Sequence, residues 1–357
     1  MSCFRGAIQN RLRKEDFMKK QDSYDYYVGI DCAQNKHDFA MKNNQDKFLI
    51  KRGHFSNTLQ GYEKFLNTVL SKCLNKDKIL FGMEVTGIYG TNLYERLKSD
   101  GYHVVMISPD SVKNYRDYKR LNKTDKIDSG CIAELLLNGD AQIVHVAKNG
   151  YTDLKAYIRR RNALKVTCTQ ETNRFLAKVC LYFPDLLKVF PSGRATLKAI
   201  FSIYPTPYSI IEADFDELVS VLQKASKNKF GVDKANELIH AARNSIVVRK
   251  SISDGELYNI HSLIDSIDSL ESEIRNLEKI IDSKAEEFPA YHVLLTLTGC
   301  GKITAATIVA EIGDISRFHK ASQIVSLAGL YGDNSKSGSS VNKRGKISKK
   351  GSRYLRH

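Results

Sequence analysis

At 357 residues, 42% hydrophobic and 27% charged, the chain is long enough for two or three domains and at least one sizeable core. Its 55 Lys and Arg against 40 Asp and Glu leave a formal net charge of +15, a surplus that gathers polyanions and points to nucleic acid as the partner. No apolar run approaches the ~18 residues needed to span a bilayer, which argues against a membrane protein.

Residues 1–23 form a basic N-terminal extension without the apolar core of a secretory signal, read either as a flexible arm or as sequence ahead of a start at Met18. Over 24–147, short apolar runs alternate with helical patterns, the mark of an α/β domain. YYVGIDCA (26–33) is a predicted strand, with HDFAMKN (37–43) and KFLIKR (47–52) as its hairpin partners. Leu59, Tyr62, Phe65, Leu66 and Val69 then recur at helical spacing. KILFGME (78–84) is the next strand, followed by a helix over 93–97, and YHVVMIS (102–108) is another, ended by Pro109. A helix over 125–137 closes the domain. Three antiparallel strands, then helix, strand, helix and strand, match the ribonuclease-H-like architecture.

Residues 148–288 carry almost no strand signal. Leu257, Ile260, Leu263, Ile264, Ile267, Leu270, Ile274, Leu277 and Ile281 recur in steps of three and four. That spacing predicts a helical coiled-coil region or a long helical hairpin, in preference to a plain core helix. The opposing helix is expected over 151–182, where Arg159, Arg160 and Arg161 are candidate nucleic-acid contacts. Pro184, Pro191, Pro205 and Pro207 predict an irregular insertion between the two.

Residues 289–357 read as a third, mainly helical unit. VLLTLTGCGKITAATIVAEIG (293–313) is helix, glycine turn, helix, a helix-hairpin-helix-like element in which Gly299 and Gly301 flank Cys300. Such a turn either offers backbone N–H groups to a phosphate, with Lys302 beside it, or simply joins packed helices. From Lys336 onward come Lys343, Arg344, Lys346, Lys349, Lys350, Arg353 and Arg356 with no acidic residue. Charge so concentrated and uncompensated favours a phosphate-tracking loop over a solvated tail. The seven cysteines are scattered and never form a C-x-x-C pair, which argues against a disulfide framework and structural zinc and fits a reducing cytosol.

Four carboxylates are the candidates for chemistry. Alternation along Val28-Gly29-Ile30-Asp31 puts Asp31 on the face opposite Val28 and Ile30. A carboxylate inside a central strand is costly to bury unless paired or bound to a cation. Glu84 ends a second apolar strand, and if the two strands pair, both carboxylates meet at one end of the sheet. Asp125 and Asp128, three apart at the head of a helix, share a face. Four oxygen-donating side chains suffice for two Mg²⁺ ions, with Mn²⁺ as a substitute. Taken singly, Asp125 and Asp128 also fit a role at the helix dipole, and Glu84 a solvated strand end.

These blocks resemble the DEDD transposases of the insertion-sequence one-hundred-ten family, whose relatives include pilin-gene invertases. The resemblance runs through GIDCAQNKHDFAM (29–41), MEVTGIY (83–89), KTDKIDSGCIAELL (123–136) and LLTLTGCGKITAATIVAEIGDISRF (294–318), and on into SLAGLYGDNSKSG and RGKISKKGSRYLR. It implies an N-terminal domain similar to the junction resolvase RuvC, with Asp31, Glu84, Asp125 and Asp128 as its metal-binding tetrad. It also implies a serine nucleophile in the C-terminal unit, Ser337 by its position before Gly338, that forms a covalent link to a DNA phosphate. By the same resemblance the partners are double-stranded DNA and a structured noncoding bridge RNA. The working form is a homo-oligomer, dimer or tetramer, in the cytoplasm at the nucleoid of a bacterium.

The sequence departs from that family in three places. Gln34 stands where a lysine is common, Tyr331-Gly332 replaces a proline-containing stretch, and relatives continue with further helix beyond RYLRH, so a shortened copy is expected. Read without the family, Ser335, Ser337, Ser339 and Ser340 are ordinary loop residues. The alternatives to a recombinase are a metal-dependent Holliday-junction-type nuclease that uses water, and an inactive truncated copy that only binds nucleic acid.

Overall fold

The computed structural model describes residues 24–73, 75–84, 88–121, 125–144, 149–191, 194–332, 336–337, 341–342 and 347–356; at Asp125, Lys126, Asn149, 336–337 and 341–342 it describes the backbone alone. The chain divides into two compact units. One comprises the described residues up to 144, Phe318–Ser326 and those of Tyr331–Ser348; the other runs from 149 to Arg317 with Leu327–Leu330 and 349–356. The basic extension 1–23 lies outside the described residues.

The first unit is built on a six-stranded mixed sheet. β1 (Tyr26–Cys32), β2 (Lys36–Asn43) and β3 (Phe48–Ser56) form an antiparallel meander, as the sequence predicts. α1 (Leu59–Leu70) follows, with the Thr58 side chain accepting the Gly61 N–H as its N-cap. β4 (Ile79–Glu84) returns parallel to β1. α2 (Thr91–Ser99) leads to β5 (His103–Ile107), parallel to β4. The strand order is β3-β2-β1-β4-β5-β6, where β6 (Ile143–Val144) is a two-residue edge too short to show a pattern in sequence. Pro109 does more than end β5. It opens α3 (Pro109–Tyr118) from the first helical position, where its missing N–H costs nothing. α4 (Asp125–Leu137) has the expected bounds. This unit is a mixed α/β domain consistent with the ribonuclease-H-like order read from the sequence.

The second unit is helical. α5 (Asn149–Tyr182) and α11 (Asp254–Ala285) run antiparallel: Lys178 pairs with Glu256 at one end, Arg160 with Glu273 further along, and Leu154 and Ile158 share a core with Ile281 and Ala285 at the other. The expected insertion between them is not irregular. It holds α6 (Leu186–Val189), α7 (Arg194–Ile203), α8 (Pro207–Ile211), α9 (Phe215–Ser226) and α10 (Val232–Arg243). Pro207 again sits in a first turn, behind a capping box of Thr206 and Ser209, while Pro184, Pro191 and Pro205 lie in the connections between helices. Phe175, Val179, Phe183, Phe201, Leu218 and Ile260 tie this insertion to the hairpin in one buried cluster. α12 (Pro289–Leu295) and α13 (Lys302–Ile312) flank the predicted glycine turn, where Gly299 has φ +86°. Tyr291, Ala306 and Val309 from these two helices are buried against Leu154 and Ile281, so this core crosses the 288/289 position. Among the described residues no helix is long and apolar enough to cross a membrane.

Candidate active site

Strand alternation sorts the two faces of the sheet. Val28, Ile30 and Cys32 of β1 and Ile79, Phe81 and Met83 of β4 lie in one core with Phe65 of α1 and Leu97 of α2. Tyr27 and Leu80 point the other way, into a core with Ile132, Leu135 and Leu136 of α4. Asp31 continues the Tyr27–Gly29 series and Glu84 the Leu80–Gly82 series, so both carboxylates belong to the α4 face. The parallel register runs from Tyr26↔Ile79 to Ile30↔Met83, and one further step brings Asp31 level with Glu84 at the carboxyl ends of neighbouring strands. Both are half-buried. Cys32 feels the two together: burial, then the charges of Asp31 and Glu84, push its thiol up to about 12.

α4 is pressed hard onto this face. A Cβ added to Gly29 would lie 2.2 Å from the Ser129 carbonyl oxygen and 2.4 Å from the Ala133 nitrogen, so only glycine fits beneath the helix. Lys42, level with Tyr27 at the far end of β1, meets Glu134 at 3.2 Å. The helix therefore runs with its later turns over Tyr27 and its first turn towards Asp31. That first turn carries Asp125 and Asp128. Asp128 is 4% exposed and accepts a 2.6 Å hydrogen bond from Arg116 of α3. The carboxylate raises the guanidinium above its ordinary value.

Asp31, Glu84 and Asp128 thus share one end and one face of the sheet. The Asp125 backbone stands in the same turn as Asp128, and its side chain lies outside the described residues. Among the described residues, no three His, Cys, Asp or Glu side chains already close on a common point as a cation site. The donor set is all carboxylate oxygen, which suits a hard divalent ion.

Sequence reasoning missed two side chains here. Asp38 is the register partner of Asp31 across β1 and β2, is 4% exposed, and its Oδ1 is buried without a hydrogen-bond partner. Period-two reading of HDFAMKN, placing Asp38 with Ala40 and Lys42, is the signal that finds it. Arg116 carries no such signal, because its partner sits on a different helix.

The remaining expected contacts fall as follows. Ser337 lies in a two-residue strand, Lys336–Ser337, paired with Val341–Asn342, and only the backbone is described. Ser335, Ser339, Ser340, Lys343, Arg344 and Lys346 lie outside the described residues. Arg159 stands 3.6 Å from buried Glu311, Arg160 pairs with Glu273 at 2.9 Å, and Arg161 with Glu278 at 2.5 Å. Lys302 donates to Asp282. Lys349 and Lys350 are exposed, and Arg353 stacks on Tyr354.

Comparison with known proteins places this geometry in context. A transposase family model matches residues 28–184, and the model of the transposase IS116/IS110/IS902 family matches residues 291–357. The chain is 23% identical over 327 residues to the "Mini-circle putative transposase for IS117" of Streptomyces coelicolor, covering 87% of this chain and 77% of that protein. It is 24% identical over 314 residues to the insertion element IS116 uncharacterized 44.8 kDa protein of Streptomyces clavuligerus, covering 85% and 75%. A third relative is the insertion element IS110 uncharacterized 43.6 kDa protein of Streptomyces coelicolor, 22% identical over 223 residues, 61% and 55% of the two chains.

Proposed function

The chain belongs to the IS116/IS110/IS902 family of transposases, and from that membership we propose that it cuts and rejoins the DNA of a mobile element through a metal-bound carboxylate site and a covalent phosphoserine. The observation that carries this reading is the meeting of Asp31 and Glu84 at the carboxyl ends of β1 and β4, on the face where the first turn of α4 brings Asp128. These four residues would hold two Mg²⁺ ions, or Mn²⁺ in their place. Bound there, such ions supply Lewis-acid stabilisation of the attacking and leaving oxygens of a phosphate.

The serine does the strand exchange. Ser337 Oγ forms a bond to phosphorus as the bond from phosphorus to one sugar oxygen breaks. That oxygen leaves as a hydroxyl by taking a proton from solvent, and Ser337 gives up its own proton to solvent in exchange. A sugar hydroxyl of the new partner strand then attacks the phosphoserine, and Ser337 leaves and regains its proton. The Lys and Arg surplus, including Arg159, Arg160, Lys349, Lys350 and Arg353, holds nucleic-acid backbone and carries no base code. Sequence is read by a bridge RNA that pairs with donor and target DNA. The working assembly is a homo-oligomer, dimer or tetramer, in which the serine of one subunit serves the carboxylates of another.

Labelled donor DNA, incubated with full-length protein and Mg²⁺ and resolved under denaturing conditions, tests the reading. Wild type gives a protein–DNA adduct, Ser337→Ala loses it while still binding DNA, and Asp31→Asn loses adduct and cleavage together. Cleavage without adduct in wild type and Ser337→Ala alike identifies a hydrolytic junction nuclease instead. Salt-sensitive binding with no cleavage in any form identifies a protein without chemistry. Sequencing the RNA that copurifies separates a guided enzyme, with one structured species, from an unguided one.

A further inference from the structure

Asp38 is a buried acid with half of its bonding capacity unused. Its Oδ2 lies 3.3 Å from Lys36 Nζ, on a side chain half exposed to solvent. Its Oδ1 is buried and accepts nothing. Lys36 alone does not explain that arrangement, since a carboxylate brought out of water needs its oxygens satisfied to offset the loss of hydration. The nearest cross-strand neighbour makes the matter worse. Asp38 and Asp31 are direct partners in the β1–β2 register, and paired Cβ atoms in such strands stand about 4.5–5.5 Å apart on one face. Two like charges at that spacing disfavour each other, and a cation shared between them relieves that repulsion.

The placement along α4 agrees. Lys42, four residues after Asp38 on the same face of β2, is bonded to Glu134. Four strand residues back from Lys42 are roughly 13 Å, which is about nine residues of helix at 1.5 Å each. Stepping back by that amount from Glu134 arrives at the first turn of α4, where Asp125 and Asp128 are. Asp38 therefore lies at the same end of the same face as the four carboxylates of the proposed site.

We infer that Asp38 is a fifth carboxylate of the divalent-metal site, binding an ion or an ion-held water through Oδ1 and so helping to hold metal beside Asp31. This rests on the metal-bound reading of Asp31, Glu84, Asp125 and Asp128. It assigns a role to a residue outside that tetrad, and Lys36 becomes the cation that keeps the second oxygen of Asp38 in place.

The test is Mn²⁺ binding to the full chain without DNA, by calorimetry or by the loss of the free-ion electron-spin signal. The variants are Asp38→Asn, which keeps shape and removes charge, and Asp31→Asn. Asp38→Asn is expected to weaken Mn²⁺ binding about tenfold, with a metal-free melting temperature no lower than wild type. If Asp31→Asn loses binding while Asp38→Asn binds as wild type does, the inference about Asp38 is wrong and the tetrad stands. If wild type binds no Mn²⁺, or Asp31→Asn binds it unchanged, the metal-site reading fails and this inference with it. Should Asp38→Asn not fold, anomalous scattering from Mn²⁺-soaked wild-type crystals decides. Asp38 Oδ1 on the ion or on one of its waters supports the inference, and an ion near Asp31 that Asp38 does not reach overturns it.

Discussion

The guanidinium of Arg116 donates to the carboxylate of Asp128 at 2.6 Å, with both side chains almost wholly buried. A charge-assisted bond this short and this dry links α3 to α4 at the turn where metal is proposed to bind. Removing one partner of such a pair leaves the other charge stranded, at about 3–5 kcal/mol. Arg116→Gln is therefore expected to lower metal-free stability by roughly 3 kcal/mol. Asp128 is then free for a divalent ion, so Mg²⁺ should return much of the lost stability and bind more tightly than to wild type. Thermal unfolding with and without Mg²⁺ measures both effects. A variant no less stable than wild type, or one that Mg²⁺ leaves unimproved, rules out competition between Arg116 and metal for Asp128.

Two glycines of the same α4–sheet contact make opposite predictions. At Gly29 a methyl group meets backbone atoms of α4 at 2.2 and 2.4 Å, and neither Ser129 nor Ala133 can swing aside as a side chain does. Gly29→Ala is expected to cost about 3 kcal/mol and to lift the Asp128 turn off Asp31, so metal affinity falls with stability. Gly130, inside α4, has nothing nearer than Phe48 Cζ at 3.9 Å. Gly130→Ala is expected to gain about 0.5–1 kcal/mol by restricting the unfolded chain, with metal affinity unchanged. Equal behaviour of the two in denaturant melts counts against close docking of α4.

Much of this was readable beforehand, and the limits have physical causes. The α4 bounds follow from Asp125 at its head and the apolar run that ends at Leu137. The assignment of Asp31 to the face opposite Val28 and Ile30 needs only period two. Pro109 ends β5 as its sequence position implies, whereas Pro207 opens a helix inside the stretch expected to be irregular, because a residue that breaks helix interiors also starts helices and one sequence does not say which. The Arg116–Asp128 pair was invisible because nothing in the spacing of α3 fixes where α4 docks. Arg159, Arg160 and Arg161 were read as one basic patch, yet each faces a different acid that only the folding of α11 and α13 brings near.

Acid should loosen the second unit through Asp282. This α11 carboxylate accepts from Lys302 of α13 and, at 2.5 Å, from the Tyr291 hydroxyl of α12. Those two bonds, Lys302 first, hold it below its ordinary value of 3.8. Because the folded value lies below the unfolded one, the stabilisation is complete above about pH 5 and is lost as pH falls through the unfolded and then the folded value. Asp282→Asn is expected to cost about 1–2 kcal/mol at neutral pH. Melting curves of wild type and variant should stay a constant distance apart above pH 5 and converge below pH 4. A gap that does not change with pH removes charge from the explanation.

Arg160 and Arg161 of α5 should separate by experiment into one that binds DNA and one that holds the hairpin. Arg160 is 60% exposed and pairs with Glu273, itself 46% exposed, so the pair is screened and contributes under about 1 kcal/mol. Breaking it to meet a phosphate therefore costs little. Arg161 is only 18% exposed, and its guanidinium donates twice to Glu278, which spends its charge inside the helix pair. Arg160→Gln is accordingly expected to leave the melting temperature nearly unchanged, weaken binding to duplex DNA, and reduce the slope of log affinity against log salt by about 0.9. Arg161→Gln should lower the melting temperature, by the equivalent of about 1–2 kcal/mol, and leave that slope alone. Fluorescence anisotropy on one labelled duplex across a salt series reads both variants. If the slopes of the two coincide with wild type, α5 is a structural helix and the DNA-binding charge lies elsewhere in the chain.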